Sequence, residues 1–289
     1  MQLLFRFGYF QFENLTLALQ DWQYILLVLA SVCIAASGYV INDIFDQGTD
    51  AINKPNRVTV GKNISENQAY NLYIALTVTG VGIGFYLSNV ILKPSFASIF
   101  IIIAATLYLY ATSLKQMLLI GNFVVALLVS FSVIIIGVFD LYPVLGPDNK
   151  QQMGILFSIL LDYAIFAFMI NFIREIVKDI EDTDGDYSQG MSTLPIAIGK
   201  FRAAKTVSIL SIVPLITILY YINNYLLDLI FVFIYLFVFV VAPLLLFIVK
   251  IYWAKTTKDF KNLSVLLKWI LFFGILSSVI IQLNITYNA

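Results

Sequence analysis

The chain has 289 residues, 61% of them hydrophobic and 12% charged, and its 17 Lys and Arg balance its 17 Asp and Glu. A charged fraction so far below the roughly 25% of an average soluble domain excludes a water-soluble globular protein and leaves an all-α, polytopic membrane protein, with the lipid bilayer rather than nucleic acid as its surroundings. Histidine is absent, which excludes His-ligated zinc, His-ligated haem and a His general base.

Read with a window of about 19 residues, apolar runs fall at 3–19, 23–41, 69–89, 95–112, 117–140, 154–177, 205–222, 225–249 and 265–283. They predict nine transmembrane helices. The first run is the weakest, because it carries Arg6 and Glu13 and begins almost at Met1; a short, tilted or interfacial helix is the alternative. No cleavable signal peptide is evident at the start. Cys33, the single cysteine, lies inside the second run and reads as a small core residue.

The basic residues are sorted. If all nine runs cross, fifteen of the 17 fall on one side, from Arg6 through the Lys54, Lys115, Arg174–Lys205 and Lys250–Lys268 groups, and only Lys93 and Lys150 fall on the other. The positive-inside rule then places the amino terminus in the cytoplasm and the carboxyl terminus outside. The expected location is a bacterial cell (inner) membrane.

Two stretches on that cytoplasmic side repeat one pattern. Asp43, Asp46 and Asp50 end the second run, and Asp179, Asp182 and Asp186 end the sixth. Positions i, i+3 and i+7 share a helix face, so each triad can aim three carboxylates at one point. Four spans separate the triads, which predicts two related four-helix units with one further helix, the whole chain 1–289 forming a single domain. The first motif loop is expected at 42–68 and the second at 174–204.

Clustered carboxylates suit the hard cations Mg²⁺ and Ca²⁺, and Mg²⁺ commonly completes its shell with substrate phosphate oxygens. A diphosphate bridging two metal-bearing triads is the expected arrangement, with Asn42 able to supply a neutral carbonyl. An EF-hand reading of 182–193 fails, since Gly185 is fourth rather than sixth and Thr193 stands where Glu is required. Lys54 and Arg57 follow the first triad, Arg174 and Lys178 flank the second, and Lys115 stands in a very short loop after Tyr110. All five are candidate phosphate-binding residues.

These segments together resemble the UbiA superfamily of intramembrane prenyltransferases. Asn42-Asp43-x-x-Asp46-x-x-x-Asp50 and the following Ile52-Asn53-Lys54-Pro55-Asn56-Arg57 are similar to that family's first motif. Arg174-Glu175-Ile176-Val177-Lys178-Asp179-Ile180-Glu181-Asp182, then Gly185-Asp186, Ser192-Thr193-Leu194-Pro195 and Gly199, are similar to the second; Tyr110 to Lys115 with Gly121-Asn122 resembles the Tyr-to-Lys loop. The sequence departs from the pattern at Val58, where the family usually has Pro, at Ala111, where it often has Ser, and in lacking the usual opening Arg-x-x-Asn-Leu.

The resemblance implies nine helices around a central cavity, dependence on Mg²⁺, and transfer of a polyprenyl group, geranylgeranyl-like, from its diphosphate to a lipophilic acceptor. It implies that Asn42 and the six aspartates hold the metal-diphosphate, with Asp46 and Asp182 central to catalysis. It also implies that Lys115 and Arg57 contact phosphate, and that Tyr110 lies near the reacting carbon. The second motif and its continuation look most like the digeranylgeranylglyceryl phosphate synthase-like branch, whose acceptor is a prenylglyceryl phosphate hydroxyl. An aromatic quinone precursor is the alternative acceptor. A cation-coupled transporter is the alternative of a different class, and it would place its acids near the bilayer midplane on broken helices rather than at helix ends.

Overall fold

The computed structural model describes residues 1–10, 16–56 and 58–288. Glu13 and Arg57 lie outside the described residues, and with Arg57 goes its expected phosphate contact. Eight helices are long and apolar enough to cross a membrane. They are α2 (Asp21–Phe45), α4 (Glu66–Val90), α5 (Ala97–Thr112), α6 (Ile120–Ile136, continuing through a π-turn to Leu141), α7 (Lys150–Ser188), α9 and α10 (Lys200–Leu210 and Ile212–Tyr221), α11 and α12 (Ile230–Leu236 and Ala242–Trp253), and α13 (Thr257–Asn288). Two short helices, α3 (Gln47–Asn53) and α8 (Leu194–Ile198), lie in the connections.

The first apolar run differs from expectation. Among its described residues the α-helix is α1, Gln2–Gly8, seven residues against the roughly 20 a spanning helix needs. Eight crossing helices, not nine, are therefore present among the described residues. Arg6 also sits elsewhere than the charge pattern suggests. Its guanidinium bonds Asp140 Oδ2 at 2.5 Å, Asp21 Oδ1 at 2.9 Å and the Leu19 carbonyl at 2.8 Å. Asp21 opens α2 and Asp140 closes α6, so this cluster stands at the end of the bundle opposite the aspartate motifs. Asp140 is fully buried and also accepts from Leu19 N at 3.0 Å. A buried carboxylate demands a counter-charge, and that local demand outweighs the global sorting of basic residues.

Two apolar cores hold the bundle. One is built by α1, α2, α4, α5 and α6 and includes Phe5, Tyr24, Leu27, Phe100, Val133 and Phe139. The other is built by α9 to α13 and includes Val207, Leu236, Val240, Leu244, Phe247 and Leu267. α7 serves both: Leu156 and Leu160 enter the first core, Ile170, Ile173, Val177 and Ile180 the second. This 39-residue helix is the spine on which the site is organised. A cavity of about 140 Å³ lies between α7, α10 and α13, lined by Asp162, Tyr163, Phe166, Tyr221 and Ser277. At 1.5 Å per residue it stands about 25 Å along α7 from Asp179, well away from the aspartates.

Candidate functional site

α2 keeps its apolar face buried as far as Ile44 and leaves helical geometry at Asp46 (φ −94°, ψ 4°). The first triad is thus split: Asp43 in the last turn of α2, Asp46 at the joint, Asp50 in α3. The second triad lies on unbroken helix. α7 runs on through Asp179, Asp182 and Asp186 to Ser188, so the expected loop at 174–204 shrinks to the few residues before α8. The expected loop at 42–68 likewise contains α3, and α4 begins at Glu66 behind a capping box in which Ser65 and Gln68 satisfy one another's backbone donors.

The two triads meet through α3 and α7. Asn53 Nδ2 donates to the Asp182 carbonyl at 2.8 Å, and Gly185 N donates to Asn53 Oδ1 at 2.9 Å. A side chain on Gly185 would collide with the Asn53 amide, so glycine is required for this approach. Lys54 Nζ then reaches Asp182 Oδ2 at 2.6 Å. The turn between α5 and α6 closes a third side. Gly121 lets α6 approach it, since a methyl there would lie 2.8 Å from Lys115 Cα, and Ser192 N donates to the Gln116 carbonyl at 2.9 Å. Lys115 Nζ pairs with Asp46 Oδ1, while Asn42 Nδ2 bonds Asp46 Oδ2. On α7, Asp179 accepts from Asn122 Nδ2 at 2.7 Å.

Three distant segments therefore converge at one end of the bundle. Asp50 feels Asp46, Lys54, Asp182 and Asp43; burial first, and Asp46 second, push its carboxyl above the ordinary carboxylate value, with Lys54 opposing. Asp43 is exposed and faces Asp46 and Lys115. Asp186 is buried and faces Asp182, Asp46, Lys54 and Lys115. Tyr110 faces Glu175, Asp179, Asp46 and Asp186. Arg174 and Lys178 are not brought to the aspartate cluster's lysines. Both turn to Glu175, at 3.2 and 2.8 Å, closer to the middle of α7.

Among the described residues no three acidic, His or Cys side chains stand ready to hold a metal ion, and Asp46 and Asp182 are each turned to a lysine. The donor set nevertheless suits a hard cation. It is all oxygen, and Asn42 Oδ1 is buried beside it without a hydrogen-bond partner, a neutral hard donor of the kind Mg²⁺ accepts. Sequence reasoning did not assign roles to Asn53, Asn122 or Glu175. Each lies within or beside a quoted motif, but only their partners across the helices reveal what they do.

The UbiA prenyltransferase family matches residues 12–276. Digeranylgeranylglyceryl phosphate synthase of Thermococcus kodakarensis is 33% identical over 194 residues, which cover 66% of this chain and 62% of that protein, under two-thirds of its length. A solved structure described as "Structural and mechanistic insights into the biosynthesis of Digeranylgeranylglyceryl phosphate synthase in membranes" is similar with a TM-score of 0.58 and 26% identity, over 91% of this chain and 86% of that one. A UbiA homolog from Archaeoglobus fulgidus bound to DMAPP and Mg²⁺ shares the fold with a TM-score of 0.57 and 16% identity, over 96% and 92% of the two chains. With the family matched along nearly all of its length, and with its helices following the fold of that family's solved structures, this chain belongs to the UbiA prenyltransferase family of integral, multi-pass membrane proteins.

Proposed function

We propose that this single-domain chain is a Mg²⁺-dependent intramembrane prenyltransferase. It moves a polyprenyl group, geranylgeranyl-like, from its diphosphate to the hydroxyl of a prenylglyceryl phosphate. The observation that carries this reading is the meeting of the two aspartate motifs, each capped by a lysine from another segment: Lys54 on Asp182 and Lys115 on Asp46. Carboxylates and lysines interleaved in this way suit a ligand that is itself polyanionic and metal-bound. The synthase names of the relatives support the acceptor, and the ligands of the Archaeoglobus fulgidus homolog support the donor and metal.

Asn42, Asp43, Asp46 and Asp50 with Asp179, Asp182 and Asp186 would hold Mg²⁺ and diphosphate, the metal supplying Lewis-acid neutralisation of the leaving group. Lys54 and Lys115 let go of their aspartates and turn to diphosphate oxygens, where they stabilise charge developing as the carbon–oxygen bond breaks. The diphosphate departs with the bonding electron pair. The Tyr110 ring steadies the allylic cation, and the apolar bundle excludes the water that would quench it. The acceptor oxygen forms the new bond to the first prenyl carbon, and its proton passes to the departing diphosphate. Both motifs face the cytoplasm of a cell membrane, where a charged diphosphate is available.

The test is an acceptor screen with labelled geranylgeranyl diphosphate, with and without EDTA. Metal-dependent product on a prenylglyceryl phosphate supports the reading. Product only on a benzoate or naphthoate overturns the acceptor, and full activity in EDTA overturns the metal.

A further inference from the structure

Below the aspartates, α7 carries a second polar stretch that diphosphate chemistry leaves unused. Asn171, Arg174, Glu175 and Lys178 stand at i, i+3, i+4 and i+7, on the face that continues into Asp179, Asp182 and Asp186. Glu175 is buried and holds both cations. Two donors on this face have no hydrogen-bond partner although they are buried: Asn171 Nδ2, on a residue only 4% exposed, and Arg174 Nε. A buried donor left dry keeps its desolvation cost uncompensated, so two on one helix face mark a place built for an acceptor. Both orphans are N–H groups, and one belongs to a guanidinium, so the fitting partner is an anion presenting several oxygens.

That anion is not the diphosphate. Arg174 stands five residues from Asp179 and eight from Asp182, about 8 and 12 Å along the helix axis, and the lysine-capped cluster above claims the diphosphate. Lys178, its ammonium also on this face, adds a third donor, and three donors suit the three terminal oxygens of a phosphate monoester better than the two of a carboxylate. We infer that Asn171, Arg174 and Lys178 form a second anion site on α7 that binds the phosphate monoester of the acceptor, with Glu175 as the positioning residue between the two cations. In a prenylglyceryl phosphate a hydroxyl stands one carbon away from the phosphate-bearing carbon. Anchoring the phosphate at Arg174 therefore presents that hydroxyl toward Tyr110 and Asp179, where the prenyl carbon emerges. Phe168 and Phe172, stacked with centroids 6.0 Å apart beside Asn171, offer an apolar surface to the acceptor's own chain. The assignment rests on the prenyltransferase reading and names the part of the site that selects its acceptor.

The experiment compares equilibrium binding of geranylgeranylglyceryl phosphate and of geranylgeranylglycerol to the full chain in nanodiscs without Mg²⁺, for the wild type, Arg174→Gln and Asn171→Asp, together with KM for both substrates. The wild type is expected to prefer the phosphorylated ligand by at least about tenfold, the scale of a charge-assisted hydrogen bond. Each variant loses that preference while binding of the alcohol and KM for geranylgeranyl diphosphate stay unchanged. Arg174→Lys, which keeps charge without the Nε donor, restores part of it. A preference that survives both variants, or a KM for the prenyl diphosphate that rises in step, overturns the site even if the wild type prenylates a glyceryl phosphate. A variant-sensitive preference without turnover on that acceptor upholds the site and overturns the reaction instead. Should Arg174→Gln fail to fold, the isosteric Asn171→Asp, which turns a donor into a repelling anion, decides alone.

Discussion

Lys54 and Asp182 are 128 positions apart and share a 2.6 Å ion pair, yet both side chains keep contact with solvent, at 30% and 19% exposure. A pair so open contributes about 0–1 kcal/mol to stability, so its value lies in what the lysine can release and rebind. Lys54→Met is therefore expected to leave the thermal midpoint nearly unchanged while lowering turnover by about 10²–10³-fold, the cost of losing one donor to a developing anion. A steady-state assay beside a melting curve separates the two effects, and a large loss of midpoint with normal turnover would contradict the assignment. At this scale the sequence was informative where charge interrupts apolar runs. The six aspartates, Lys54 and Lys115 stand out by type and spacing, and the structure joins Lys54 to Asp182 and Lys115 to Asp46; that the acids share one ligand is part of the proposed function. Neutral amides carry no such contrast. Asn53, Asn122 and Asn171 look like ordinary polar residues until helix contacts with no local signature show what they face.

The approach of α3 to α7 depends on a single missing side chain. Gly185 lies against the Asn53 amide, and its N–H donates one of the hydrogen bonds that dock the helices. Gly185→Ala forces Asn53 and Lys54 away from Asp182. Displacing a positioned group by about 1 Å can cost about 10²-fold in rate, so a fall of that order is expected, with membrane insertion intact and affinity for Mg²⁺-diphosphate reduced. Normal kinetics in this variant would show that the α3–α7 contact does not assemble the site. The element boundaries here were poorly legible for a physical reason. Asp182-Thr183-Asp184-Gly185-Asp186 reads as a turn by composition, but Thr183 and Asp186 are buried and tertiary packing holds the segment helical. The reverse holds at Asp46, where spacing suggests a continuous face and the chain bends instead.

Across the whole molecule the opposite end of the bundle is fixed by charge. Asp140 has no exposure, and Arg6 joins it to the start of α2. Breaking a buried pair by removing one partner costs about 3–5 kcal/mol; Asp140→Ala is expected to lower stability in detergent by that amount, while Arg6→Met with Asp140→Leu recovers much of it. This clamp also accounts for what the hydropathy pattern could not deliver. Hydropathy sees a first run able to cross, whereas Gln2 Nε2 bonds Ser31 Oγ and the Ser132 carbonyl at 3.1 Å each, so α1 starts partway along α2 and packs against the bundle's far half. The eight crossing helices among the described residues place Lys62, Lys200 and Lys258 at the motif end and Lys93 and Lys150 at the other. Because Cys33 is the single cysteine and is buried, a Cys33→Ser background lets single cysteines report sidedness. Cysteines at 62, 200 and 258 should react with an impermeant maleimide only in inverted vesicles, and those at 93 and 150 only in intact cells. Labelling of 62 and 200 from different sides would break the alternation that puts both aspartate motifs on one face. Labelling of all three from outside would keep the site intact and reverse its orientation.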